Sequence, residues 1–431
     1  MKLTIDTTKD LGRIRAMHGV GQPPRMGISG EFMHYLTEAH IPYSRLHDVG
    51  GLYGGNMFVD VPNIFRDFSA NEHDPDNYDF AFTDILIKQL IDAKCEPIYR
   101  LGVTIENFHF IKAYRIFPPT DYAKWARICE HIIKHYNEGW GNGFHYGIKY
   151  WEIWNEPDNN GIDPKENSMW RGTAEDYFEL YEVTAKHLKK RFGDSIKVGG
   201  FASCGFYSLF GDTEHPHPQH KYFTDFFLRF LDFIDETKSP IDFFSWHSYA
   251  STENTMIMAD FVDSELTKHG LGELETQCNE WNNASEIQYR GTSFASAAAA
   301  DMMIAMHDKK TTTMCYYDAR IGQSNYGGLF DPMSWKPLCA YYSLKAFGEL
   351  YSIGKRVEVT GMSGKVRALA AHDGEKTAIM IVNTGEPETI TTDLSGMKLF
   401  LVDKEHYLTE EASDPTNFTL AKDQVALIKN F

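Results

Sequence analysis

The sequence predicts an α/β fold, a closed (β/α)8 TIM barrel with a smaller antiparallel β-sandwich attached. Three observations carry that reading. Between residues 17 and 351, short apolar runs alternate with helical stripes eight times, the order of a parallel sheet with helices outside it. From about residue 352 the hydrophobic period changes to two, the mark of antiparallel strands. The fourth and seventh apolar runs each end in a glutamate preceded by an asparagine and close to tryptophan, where such a barrel collects its reactive groups. The barrel is therefore assigned to residues 17–351, and the sandwich to residues 1–16 plus 352–431.

In chain order, residues 2–6 and 12–16 read as short strands around a turn at Thr8-Lys9-Asp10. Residues 17–20 form the first barrel strand, followed by Gly21-Gln22-Pro23-Pro24, a helix over 29–39 and a second strand over 41–46. The glycine-rich segment at 50–55 lacks G-K-[ST] and a following helix, so it is a connection and not a phosphate loop. Residues 60–67 read as an inserted hairpin. Phe82, Ile85, Leu86, Leu90 and Ile91 keep helical spacing before a strand over 97–101. Pro118-Pro119-Thr120 opens a helix striped by Trp125, Ile128, Ile132 and Tyr136. The fourth strand runs through Tyr150-Trp151-Glu152-Ile153 and should stop at Glu156, because Pro157 has no N–H for a ladder. Thr173 with Asp176 reads as a helix cap. Strands over 196–199, 241–246, the run ending at Glu280, and Thr313–Tyr317 complete the barrel, with helices at 223–234, 256–269, 293–308 and 338–350 between and after them. Strands over 366–370, 377–382, 389–394, Lys398–Val402 and 425–429 make the sandwich, joined by the N-terminal strands.

Composition narrows the function. The net charge of −18 argues against nucleic acid, whose binding leans on neutralising phosphate. No apolar run approaches the ~20 residues of a membrane span, and Met1-Lys2-Leu3-Thr4-Ile5-Asp6 lacks the apolar core of a signal peptide, so a cytoplasmic protein without a membrane partner is expected. The six cysteines form no C-x-x-C pair and are expected to be buried, reduced thiols. Asn283-Ala284-Ser285 is a formal glycosylation sequon directly after Glu280, where a glycan would obstruct the cleft. Oligomeric state cannot be read from the sequence, and a homo-oligomer stays open.

The chemistry rests on Trp151-Glu152-Ile153-Trp154-Asn155-Glu156-Pro157-Asp158 and on Glu275-Thr276-Gln277-Cys278-Asn279-Glu280-Trp281. Trp154-Asn155-Glu156-Pro157 resembles the acid/base motif of clan A of the glycoside hydrolases. Within that clan the chain is most similar to family 39, the β-xylosidases and α-L-iduronidases. Gly21-Gln22-Pro23-Pro24, Tyr43-Ser44-Arg45-Leu46-His47-Asp48 and Ser245-Trp246-His247-Ser248-Tyr249 fit that family too. Leu46-His47-Asp48 and Asn279-Glu280-Trp281 depart from its commonest forms, which leaves the sugar open.

The resemblance implies a retaining glycosidase with Glu156 as acid/base, Glu280 as nucleophile and Asn155 on the sugar's 2-hydroxyl. It also implies that His247, Tyr249 or both face the sugar, with Tyr249 bonded to Glu280. Arg45 can pair with a carboxylate near Glu280, and His47 can contact a sugar hydroxyl; the alternative for both is a scaffold ion pair and a capped loop. Tyr317 and Trp335 are candidates for an aromatic platform under the sugar's C–H face, Trp335 equally for core packing. Glu152 lies too deep and Glu275 should point to the other face, while Asp158 and Asp318 are placed to bind hydroxyls. His215-Pro216-His217-Pro218-Gln219-His220 raises a metal-dependent hydrolase as a third reading. A polar loop is the plainer one, and no metal or cofactor is expected. The expected substrate is a short saccharide or glycoside, cleaved by an exo-β-xylosidase-like activity. An arabinoside, uronide, glucoside or galactoside specificity, or a non-catalytic carbohydrate-binding barrel, are the alternatives.

Overall fold

A computed structural model describes residues 1–24, 30–49, 58–104, 116–159, 163, 166–322, 324 and 326–431. The glycine-rich segment at 50–55 lies outside the described residues. After the N-terminal strand β1 (Thr4–Arg13), eight parallel strands close a barrel. They are β2 (Ala16–Gly21), β3 (Tyr43–Leu46), β4 (Glu96–Leu101), β5 (Tyr150–Ile153), β6 (Lys197–Ser203), β7 (Phe243–Ser248), β8 (Glu275–Trp281) and β9 (Thr313–Tyr317). The ring closes where β9 pairs with β2, Tyr316 opposite Val20.

Among the described residues the α-helices are α1 (His34–Glu38), α2 (Val61–Ile64), α3 (Ala81–Asp92), α4 (Tyr122–Glu138), α5 (Ala174–Phe192), α6 (Pro218–Thr237), α7 (Thr252–Lys268), α8 (Ser293–Met306) and α9 (Cys339–Ile353). Local chemistry sets their ends. Thr173 and Asp176 form a reciprocal capping box on α5. Asp121 caps α4, which stops at Gly139 in the left-handed conformation (φ +76°). Helix α8, Ser293-Phe294-Ala295-Ser296-Ala297-Ala298-Ala299-Ala300, is buried almost all round because it lies between the barrel and the second sheet.

That sheet is antiparallel, in the order β1, β10 (Lys355–Thr360), β11 (Val366–His372), β12 (Thr377–Asn383), β17 (Gln424–Lys429), β14 (Lys398–Val402) and β15 (Tyr407–Glu411). A two-stranded sheet pairs β13 (Glu388–Thr391) with β16 (Asn417–Leu420). The period of two divides the large sheet between two cores. Leu369, Ala371, Met380, Val382 and Leu427 join the barrel's core. Ala368, Ala370, Ile379, Ile381 and Ile428 face the other way and pack with Ile390 and Phe418 of the small sheet.

Three local expectations are corrected. Residues 4–13 are one strand, because irregularities in its pairing with β10 absorb Asp6–Asp10 and Asp10–Arg13 where a turn was read. Residues 61–64 are helical and not part of a hairpin, with Asp60 buried against Arg100 and accepting from the Thr104 N–H at 2.8 Å. The fourth barrel strand ends at Ile153, before the motif's asparagine and glutamate. All six cysteines are buried and unpaired. Among the described residues, no helix is long and apolar enough to cross a membrane.

Candidate active site

Glu156 reaches the barrel mouth through a bent segment and not along a strand. After Ile153 the backbone enters the left-handed region twice, at Trp154 (φ +74°) and Glu156 (φ +44°). Non-glycine residues pay for that conformation and hold it only where the surroundings impose it. Here the Trp154 N–H donates to Leu101 O at 2.9 Å and the Glu156 N–H to Ala202 O at 3.0 Å. The buried Trp154 indole donates to Met169 O at 2.9 Å and sits edge-on to Trp170. Gly102 allows this approach, since a Cβ there would lie 2.9 Å from Trp154 Cα.

Glu280 arrives by a different device. Along β7 and β8, Trp246 faces Cys278 but His247 faces Glu280, so β8 carries one extra residue, Asn279. Adjacent residues of a regular strand point to opposite faces; the irregularity turns Asn279 and Glu280 to the same interior. Asn279 donates to Glu152 Oε1 at 2.6 Å while Glu280 accepts from Arg45 Nη1 at 3.0 Å. The same extra residue undoes the parity argument against Glu275. That residue is set apart by depth, at the start of β8, where Tyr150 donates to it at 3.2 Å and Lys197 pairs with it.

Arg45 ties the floor together. It is fully buried, donates from Nε to Glu152 at 2.8 Å, and also donates to Glu280 and to the side-chain Oδ1 of Asn155. Glu152 is thereby an anchor for Arg45. Asn155 keeps a buried Nδ2 without a hydrogen-bond partner, a donor left for a ligand. Tyr249 donates to Glu280 Oε1 at 2.6 Å, Asn159 to Glu156 Oε2 at 2.8 Å, and His247 Nδ1 lies 2.7 Å from Glu156 Oε1.

The charges of this cluster act on one another. Burial pushes the Glu156 carboxyl up, but the bonds from His247 and Asn159 and the charge of Arg45 outweigh it and leave it below its ordinary value. Burial raises Glu280, helped by the charge of Glu156 and opposed by His247, Arg45 and Tyr249. Burial works against a charged His247, yet Glu280 and Glu156 together raise it. In the unliganded site the proton therefore favours the imidazole, one 2.7 Å bond away from Glu156.

Around the two glutamates, Tyr317 donates to Asp48 Oδ2 at 2.8 Å and receives a bond from Gln22. His47 is buried with Nδ1 unpartnered, and burial with the charges of Arg100 and Arg45 holds it well below its usual pKa, hence neutral. Asp158 accepts from Ser203 Oγ at 2.9 Å, and burial with the charge of Glu156 pushes it up to about 7. Asp318 is bonded by Ser324 and the Arg320 N–H.

An aromatic group absent from the sequence reading completes the mouth. Tyr326, 43% exposed, stands 5.0 Å from the Tyr249 ring and 5.4 Å from the Tyr317 ring. Its segment is held by Arg290 Nη2 on Ser324 O and by Asn282 Nδ2 on Gly327 O. Trp335 lies outside this trio. At 41% exposure and edge-on to Phe32 it is not the core residue that was one of its two readings. The histidine-rich segment does not gather as a metal site: His215 is exposed, His217 caps α6, and His220 packs against Tyr207. Asn283 spends its Nδ2 on Ala298 O at 2.8 Å.

A parallel barrel with two buried carboxyls converging at its mouth is the class of fold and site this chain has, and comparison with known proteins gives its family. The family model for "Glycosyl hydrolases family 39" matches residues 1–289, and the chain belongs to that family. It is 28% identical over 207 residues to a β-xylosidase of Geobacillus stearothermophilus, covering 46% of this chain and 36% of that protein. It is 27% identical over 314 residues to a β-xylosidase of Caldicellulosiruptor saccharolyticus, covering 66% and 56%. The chain thus spans between about a third and just over half of the length of these relatives. Among solved structures, a glucosidase from Croceicoccus marinus has a TM-score of 0.79 at 20% identity, over 99% of this chain and 98% of that one. A monomeric β-xylosidase from Caulobacter crescentus CB15 has a TM-score of 0.70 at 15% identity, over 99% of both chains. These structures share the fold.

Proposed function

We propose that this protein is a retaining, exo-acting glycoside hydrolase of the β-xylosidase type, with Glu280 as nucleophile and Glu156 as acid/base. The observation that carries the reading is the approach of the two carboxyls: with His247 between them, one donor atom of each lies within 4.8 Å of the others. Retaining glycosidases hold their carboxyls ~5–5.5 Å apart, whereas inverting ones leave room for a water at roughly 6.5–9.5 Å.

In the first step a Glu280 oxygen attacks the sugar's anomeric carbon as the leaving oxygen takes a proton from Glu156. Arg45 and Tyr249 hold the Glu280 carboxylate, which keeps it oriented toward that carbon. The proton reaches Glu156 across its bond to His247. The free Nδ2 of Asn155 is the donor for the 2-hydroxyl. Once Glu280 is an ester its charge is gone, so Glu156 can take a proton from the incoming water. The described residues used here require no metal. The six unpaired cysteines support a cytoplasmic location.

A glucoside is the second reading, a neighbour in fold being named a glucosidase. A panel of aryl glycosides decides between them, with xyloside hydrolysis fastest on the first reading. Proton NMR of the first-formed sugar should show the retained anomer. Turnover with inversion, or no hydrolysis of any aryl glycoside, would reject the proposal.

A further inference from the structure

We infer that Glu156, His247 and Glu280 also form a binding site for one divalent transition-metal ion, such as zinc, that competes with the sugar. Among the described residues they are the one group of three metal-type donors within mutual reach, all within 4.8 Å. His247 and Glu280 stand near the ends of β7 and β8, and Glu156 in the bend after β5 that its N–H bond to Ala202 O pins, so the site is built before any ion arrives.

The second observation is His247 Nε2. It is fully buried, has no hydrogen-bond partner, and points toward Glu280 Oε2 at 3.8 Å. Such an orphaned nitrogen is costly unless a ligand or ion completes it, and an ion that binds there displaces the imidazole's proton to solvent. A tetrahedral zinc with bonds of about 2.0–2.2 Å sets its donors roughly 3.4 Å apart, so small side-chain shifts suffice. One imidazole and two carboxylates match zinc and the ions near it in the series better than calcium or magnesium, which take oxygen ligands. Three protein donors leave the fourth position open toward the mouth. Arg45 opposes the ion, since its Nη1 already bonds Glu280 Oε2 at 3.0 Å. Affinity is therefore below that of a dedicated zinc site, and the ion is an inhibitor and not a cofactor. It would occupy the space in which Glu280 must meet the anomeric carbon. Only that competition rests on the proposed reaction; the binding itself does not.

Cobalt(II), a spectroscopic substitute for zinc, tests this without substrate. Titrating it into the whole protein should give visible absorption bands that saturate at one equivalent and are displaced by zinc. His247→Gln, with its fold checked by circular dichroism, should raise the apparent dissociation constant at least about tenfold. Wild-type crystals soaked in zinc should show one anomalous peak between the three side chains, a result that needs no variant. With aryl xyloside, zinc should raise KM and leave kcat unchanged, and a chelator should reverse it. Absence of binding, binding unchanged in His247→Gln, or a peak at His217 and His220 would overturn the inference. Cobalt binding in a protein that hydrolyses no glycoside would keep the inference and reject the reaction; hydrolysis without binding would do the opposite.

Discussion

Arg45 bonds three polar side chains at once in a fully buried position, so its loss would be felt twice. Arg45→Met should lower stability by about 3–5 kcal/mol, because it leaves the buried carboxylate of Glu152 uncompensated. It should also disorder Glu280; urea midpoints check the first effect and kcat the second. Asp158 makes a pH prediction. Its folded value of about 7 lies above the ordinary 3.8, so its stabilising effect is complete below about pH 4 and is lost as pH rises through 7. Asp158→Asn removes that dependence. From pH 4 to 8 the variant should gain stability relative to wild type, by at most about 4 kcal/mol. Equal pH slopes of the urea midpoints for the two proteins would refute it. Glu156→Ala should cripple poor leaving groups but spare the first step with an activated phenol, whose departure scarcely needs a proton. Azide should then speed turnover and give a sugar azide of retained configuration; an inverted product would assign the acid/base role to Glu280.

At the scale of the element, the site was legible in its residue types and less so in its geometry. Trp154-Asn155-Glu156-Pro157 and Asn279-Glu280-Trp281 announce carboxyls at strand ends. The bend after Ile153 was not legible, since tryptophan and glutamate are poor candidates for positive φ and the bend depends on packing against Gly102 and Trp170. Nor was the extra residue at Asn279, because a period of two carries no mark of where it slips. Tyr326 escaped notice because its place depends on a long connection pinned from Asn282 and Arg290, in the segment after β8. Helix α8 gives the element's own prediction. Ala300 is completely buried in a helix wedged between barrel and sheet. Ala300→Leu should cost about 1–3 kcal/mol by overpacking, measured as a lower urea midpoint, with KM for an aryl glycoside unchanged.

For the whole molecule, the eight alternations of strand and helix were enough to number the barrel and to assign the two glutamates to the ends of its fourth and seventh strands; Glu280 lies within the seventh and Glu156 three residues past the fourth. The second sheet was less legible. Strands β10, β15 and β16 were not read from the sequence, being short and largely polar where they face solvent. The N-terminal strand joins that sheet through β10, and α8 and α9 lie against it, so the barrel's last helices are shared between both cores. The sheet lies along the barrel's flank, and the reactive groups of such a barrel collect in the cleft at the carboxyl ends of its strands. The central claim is that the two carboxyls meeting there work by double displacement through Glu280. The most direct test is covalent trapping with an activated 2-deoxy-2-fluoro xyloside, whose fluorine slows the second step so that the ester accumulates. Mass spectrometry of the peptides should find one sugar attached, on Glu280. Attachment to Glu156 or another residue would contradict the account, as would turnover with inversion and no adduct.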